Sequence, residues 1–194
     1  MILNLKNTKL VLYNIAIMEP QKSLYYFGYG ANMSKEYLQK RRRVFPTETL
    51  PGTLNGYRLI MNMEGPNFIE PSFANIIEAP NEYLEGILSR ITEKELNRII
   101  NSEGVNYELI DINVKAEKKS YNAKTLIYKT NKLASTPPSR RYMKILIKAA
   151  INNNLSVSYI EKLKKHPSVY YPVLSEIFSL MIFYWVRKRS KNSM

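Results

Sequence analysis

The sequence predicts a mixed α+β fold. Short segments rich in aromatic and β-branched residues are bounded by turn formers, while other segments carry apolar residues at helical spacing behind a Thr or Ser cap. Apolar residues make up 45% of the chain and charged residues 23%, so 194 residues can close one core but would be cramped as two full domains.

Residues 1–22 read as an extension in which Leu10, Val11, Leu12 and Tyr13 suit a short strand and Glu19-Pro20-Gln21-Lys22 breaks it. Leu24-Tyr25-Tyr26-Phe27 is a strand that runs into Gly28-Tyr29-Gly30-Ala31-Asn32 and a helix start at Ser34. Strand, glycine loop and helix in that order aim backbone N–H groups and a positive helix end at the loop, which suits a carboxylate or a developing oxyanion. A plain strand-to-helix turn uses the same residues.

Residues 52–63 and 73–78 read as strands separated by Glu64-Gly65-Pro66-Asn67, and residues 83–91 as another. Thr92-Glu93-Lys94-Glu95 is a capping box for a short helix with Leu96, Ile99 and Ile100 on its buried face. Glu103 stands at the end of that helix, with Gly104 suited to a left-handed cap. Residues 107–114 and 121–128 read as a hairpin across the polar turn 115–120. After Pro137-Pro138, helices are expected over 142–151 and, from a Ser156 cap, to residue 165. The domain then spans 23–168, and 169–194 is an apolar helix with a basic tail. Val173, Leu174, Ile177, Leu180, Met181, Tyr184 and Trp185 fit its helical stripe, which Phe178, Ile182 and Phe183 widen. Such a helix packs on its own domain, pairs two subunits into a homodimer, or lies weakly on an anionic membrane surface.

Cysteine is absent, which excludes disulfides, thiolate metal sites and cysteine nucleophiles. His166 is the only histidine, so there is no second imidazole for a relay, and its place beside Pro167 reads as structural or exposed. Chemistry falls to carboxylates, hydroxyls, lysines or backbone donors. Lys plus Arg number 29 against 16 Asp plus Glu, a formal net charge of +13. The excess is scattered, with denser runs at 40–43, 162–165 and 187–191, so it implies non-specific attraction to anions and no specific nucleic-acid partner. No signal-peptide pattern opens the chain. The stretch 177–186 holds about ten apolar residues where a membrane span needs about twenty, and the expected location is the cytoplasm.

Tyr29-Gly30-Ala31-Asn32-Met33 after an aromatic strand, Glu103-Gly104-Val105 after a short helix, then Tyr107, then Pro137-Pro138-Ser139 with Tyr142, occur in one order along the chain. This ordered set resembles the γ-glutamylcyclotransferase family over roughly residues 24–165. The resemblance implies a small mixed domain built on a twisted, partly closed β-barrel flanked by helices. It implies that the loop Tyr29, Gly30, Ala31, Asn32 and Met33 holds a glutamyl head group, that Tyr107 and Tyr142 line the pocket, and that Glu103 is the catalytic acid/base. A small-molecule γ-glutamyl substrate and no cofactor or metal are implied with it. Ala31 stands where the family usually has serine, so at most one neutral hydrogen bond is lost, worth roughly 0.5–1.5 kcal/mol.

The implied reaction suits the residue inventory. A γ-glutamyl amide carries its own nucleophile, the α-amine, which closes on the γ-carbonyl to give 5-oxoproline. The protein then has to supply a carboxylate for proton transfer and donors for the oxyanion. Glu103 also reads as a solvated helix-end carboxylate. Glu93 and Glu95 are accounted for by helix-start electrostatics, whereas the face of Glu85 is open. Arg140, Arg141, Lys144 and Lys148 read as a solvated helix face. The competing functions are a non-catalytic protein that binds an anionic small molecule in the same pocket, and a basic nucleic-acid-associated protein.

Overall fold

The computed structural model describes residues 22–67, 69–103 and 106–170, together with residues 181, 184, 185, 187 and 188. The strand expected at 10–13 and the Gly104 cap lie outside the described residues, as does nearly all of the C-terminal helix.

Five strands close into a barrel: β1 (Ser23–Gly28), β2 (Glu48–Glu64), β3 (Ser72–Thr92), β4 (Tyr107–Ala116) and β5 (Lys119–Tyr128), in the order β1-β3-β2-β4-β5. The seam is the parallel pairing of β1 with β5 through Tyr25↔Ala123 and Tyr26↔Lys124; the other neighbours are antiparallel. Closure removes the open sheet edges that would otherwise recruit other chains.

Two local readings are corrected. The segments 73–78 and 83–91 belong to one strand, β3, which runs unbroken through Pro80. The β2–β3 ladder shifts register between Asn55 and Tyr57, where Gly56 sits at φ +79. That left-handed residue bends the ribbon and leaves residues 79–82 out of the ladder, so Pro80 has no bond to donate. The hairpin turn is likewise shorter than expected. Glu117 at φ 47 and Lys118 at φ 64 alone connect β4 to β5, a left-handed pair whose twist matches that of the flanking strands.

Alternation along β1 divides the core. Phe27 packs with Leu54, Leu84, Leu88 and Val114, and with Met143, Leu146 and Ala149 of α3 (Arg140–Asn152). Tyr26 points to the opposite face, with Leu38, Val44 and Ile91 and with Leu96 and Ile99 of α2 (Glu93–Glu103). The expected Ser156 cap forms, its Oγ accepting from the Tyr159 N–H at 3.2 Å; Ser139 caps α3 in the same way, its Oγ accepting from the Tyr142 N–H at 2.9 Å, so that helix starts two residues before the expected 142. Glu85 resolves as structural. Its buried carboxylate accepts from the Ser156 N–H at 2.8 Å, tying α4 (Val157–Lys164) to β3.

Candidate active site

The loop after β1 folds tightly back on itself. A Cβ on Gly28 would sit 2.7 Å from the backbone oxygen of Asn32, so only glycine permits this approach. Residues Ala31–Met33 form one 3₁₀ turn, closed by Met33 N–H donating to Gly30 O at 3.0 Å and Ser34 N–H to Ala31 O at 3.1 Å. Ser34 then caps the short helix α1 (Lys35–Tyr37), accepting from the Tyr37 N–H at 3.2 Å. The chain continues into a π turn, Leu38–Arg42, and leaves it at Arg43 with φ 55. Such wide turns are uncommon and frequently accompany functional sites. Here it ends on Arg42, whose side chain is buried.

Helix α2 brings the carboxylate. Its start is fixed by the expected capping box, with the Thr92 N–H donating to Glu95 Oε2 at 2.9 Å and the Glu95 N–H to Thr92 Oγ1 at 3.2 Å. Leu96 and Ile99 seat the helix on the barrel, and Glu103 is its last residue. Glu103 Oε1 accepts from Asn32 Nδ2 at 3.1 Å and from Arg42 Nη2. Arg42 Nε donates to Asn32 Oδ1 at 2.7 Å, and its Nη1 to Ser102 Oγ. Asn32 Nδ2 also donates to the Tyr26 hydroxyl at 2.9 Å. The second oxygen of Glu103, Oε2, accepts no hydrogen bond from the described residues.

Burial works against the charge on Arg42, but the Glu103 carboxylate, with Tyr37, Tyr26 and Tyr107, holds its guanidinium above the ordinary arginine value. The ion pair has side-chain exposures of 5% for Arg42 and 16% for Glu103, so the carboxylate is the member that reaches open space.

That space is a cavity of about 830 Å³. Tyr29, Gly30, Ala31, Asn32, Glu103, Tyr107 and Tyr142 all line it, although they come from both ends of the domain. Met33 does not. The tight 3₁₀ turn carries its side chain into the core, 1% exposed, and its backbone oxygen accepts from Asn153 Nδ2 at 3.2 Å. The three phenols are held in place: Tyr29 donates to Leu126 O at 2.5 Å, Tyr107 to Met63 Sδ at 2.7 Å, and the Tyr142 oxygen accepts the Ala74 N–H at 3.1 Å. Burial is the leading cause that raises all three above the ordinary tyrosine value, so they are neutral hydrogen-bonding groups.

An AIG2-like family model matches residues 83–163, from β3 to the end of α4. A γ-glutamylcyclotransferase of Homo sapiens is 28% identical over 165 residues, covering 80% of this chain and 86% of that protein. A γ-glutamyl cyclotransferase of Aspergillus oryzae is 26% identical over 175 residues, covering 77% of this chain and 64% of that longer protein. A solved γ-glutamyl cyclotransferase structure superposes with a TM-score of 0.71 at 25% identity, covering 83% of this chain and 98% of that one. By these matches the chain is similar to γ-glutamylcyclotransferases over most of its length.

Within this γ-glutamylcyclotransferase-like domain two site residues escaped the reading of the sequence. Arg42 is hidden in the run Lys40 to Arg43, whose members look alike until the π turn buries one of them. Arg141 read as part of a solvated helix face, yet its Nη2 donates to Glu70 Oε2 and Glu70 is fully buried. No local pattern links positions 70 and 141; the contact exists only because α3 packs across the loop before β3. Among the described residues no group of three or more His, Asp or Glu could hold a metal ion, and no helix is long and apolar enough to cross a membrane.

Proposed function

We propose that this chain converts a γ-glutamyl amide to 5-oxoproline with release of an amino acid or amine, using Glu103 as general acid/base and no cofactor. The supporting observation is that the Tyr29–Asn32 loop and the Glu103 carboxylate, far apart in sequence, meet in one cavity, with Asn32 Nδ2 3.1 Å from Glu103 Oε1.

With Arg42 and Asn32 both engaged at Oε1, Oε2 is the oxygen left to take a proton. The substrate ammonium gives one proton to Oε2, and the freed amine attacks the γ-carbonyl, forming the ring C–N bond. The resulting oxyanion needs donors that are already in place, and backbone N–H groups at the start of the Ala31–Met33 turn suit that role. Glu103 then returns the proton to the leaving nitrogen as the amide C–N bond breaks, takes up the surplus proton of the new ring nitrogen, and passes it to the released amine, which departs as an ammonium. Atoms and electrons balance without water, metal or redox partner. Because both reacting groups sit in one molecule, much of the entropic barrier is already met. The Arg42 guanidinium fixes the carboxylate's position and compensates its charge when no substrate is bound. The proposed setting is the cytoplasm, which a cysteine-free chain suits.

Incubation of the full chain with a panel of γ-glutamyl compounds should release 5-oxoproline in step with the free amine. Binding of these compounds without any 5-oxoproline would replace this reading with the non-catalytic one.

A further inference from the structure

The glutamyl head group is a zwitterion, so its own charges cancel. The cavity's charges do not. Lys35, Lys40, Arg41, Arg42, Arg141 and Lys148 line it, against Glu36 and Glu103. Lys40 is matched by Glu36 at 2.7 Å, Arg42 by Glu103, and Arg141 by buried Glu70. Lys35 on α1 and Lys148 on α3 stand exposed on two different elements of the rim and make no hydrogen bond or ion pair with the described residues. Arg41 packs 6.0 Å from the Tyr37 ring centroid. Burial pushes its ionisation down, Tyr37 pushes it back up, and the like charge of Arg141 pushes it down again.

We infer that the part of the substrate released on cyclisation is acidic, so that γ-glutamyl dipeptides whose second residue carries two carboxylates are preferred over those with one, and those over γ-glutamyl alkylamines. This rests on the cyclotransferase reading of the same cavity. The ammonium end is directed to Glu103 at the floor and the first carboxylate to the loop. A chain extending from the γ-carbonyl toward solvent then meets the cavity wall that carries Lys35 and Lys148. The volume of about 830 Å³ leaves room for a second residue beyond the head group. Rim charges of this kind act through capture and orientation, and salt screens them.

The test compares kcat/KM of the full chain for γ-glutamylglutamate, γ-glutamylalanine and γ-glutamylbutylamine at low and raised ionic strength. The expected order follows the number of carboxylates, with roughly tenfold between the extremes at low salt and a ratio that shrinks as salt is added. The double substitution Lys35→Gln with Lys148→Gln should lower the value for γ-glutamylglutamate more than that for the butylamide. A flat or reversed order, with 5-oxoproline still formed, overturns the inference and leaves the cyclotransferase reading intact. If no compound is turned over, that reading fails, and calorimetry on the same protein decides the inference separately. Tighter, salt-sensitive and Lys35/Lys148-dependent binding of γ-glutamylglutamate over the butylamide supports it; equal or absent binding of both overturns it.

Discussion

Arg42 and Glu103 depend on each other energetically. Removing one member of a buried ion pair leaves the other charged and unpaired, which typically costs about 3–5 kcal/mol. Arg42 also donates to Asn32 and Ser102, so Arg42→Met should sit at the upper part of that range and should unfold at clearly lower urea. A melt indistinguishable from wild type would mean that the guanidinium is not buried against Glu103. Glu103→Gln is milder for the fold, because the amide oxygen can still accept from Asn32 and Arg42. It cannot carry the ammonium proton, so 5-oxoproline formation should fall by about 10²-fold or more. Turnover near wild type would remove Glu103 from the mechanism. Glu103 and the loop were legible in the sequence because each belongs to a short ordered motif. Arg42 was not, because only the register of a π turn distinguishes it from Arg41 and Arg43.

Elements were legible where their signals are local. The Thr92–Glu95 box and the cap at Ser156 are each closed within three residues, so the side chains that form them stand next to the backbone they satisfy. β3 was misread because Pro80 and Asn81 carry turn chemistry, whereas the long-range ladder with β2 skips them and pairs Glu78 and Tyr83 on either side. Helix α3 was half legible: its apolar spacing indicated a buried face, whereas the inward turn of Arg141 depends on a distant carboxylate. The buried face of α3 also carries weight in the site, since Tyr142 at its start lines the cavity above Gly30. Leu146 is 0% exposed one turn further on. Leu146→Ala should destabilise by about 2–5 kcal/mol, the spread set by how far the core collapses into the gap. Urea unfolding with an unchanged m-value would register that loss, and a shift below about 1 kcal/mol would show that Leu146 lies outside the packed core.

On the scale of the whole molecule, the barrel's closure buries a set of phenols around one cavity. Tyr26, Tyr29, Tyr107 and Tyr142 are all raised above the ordinary tyrosine value, in each case first by burial; the Glu103 charge raises all four further, while an N–H bond from Ala74 partly offsets the rise at Tyr142. The sign of the consequence follows from proton counting. Below the ordinary phenol value of about 10, folded and unfolded chains both hold these protons and stability is unaffected. Above it, the unfolded chain releases them while the folded chain retains them, so stability falls as pH rises, by up to about 1.4 kcal/mol per pH unit for each phenol. Lysines titrate in the same region and ease the repulsion of a chain carrying +13, so the raw pH curve mixes two opposing effects. A substitution separates them. Tyr29→Phe forfeits one hydrogen bond to Leu126 at every pH but deletes one titration, so its stability deficit should shrink between about pH 10 and 12. Urea midpoints of both proteins across that range measure this, and a deficit that stays constant would show that Tyr29 ionises as readily in the folded barrel as outside it.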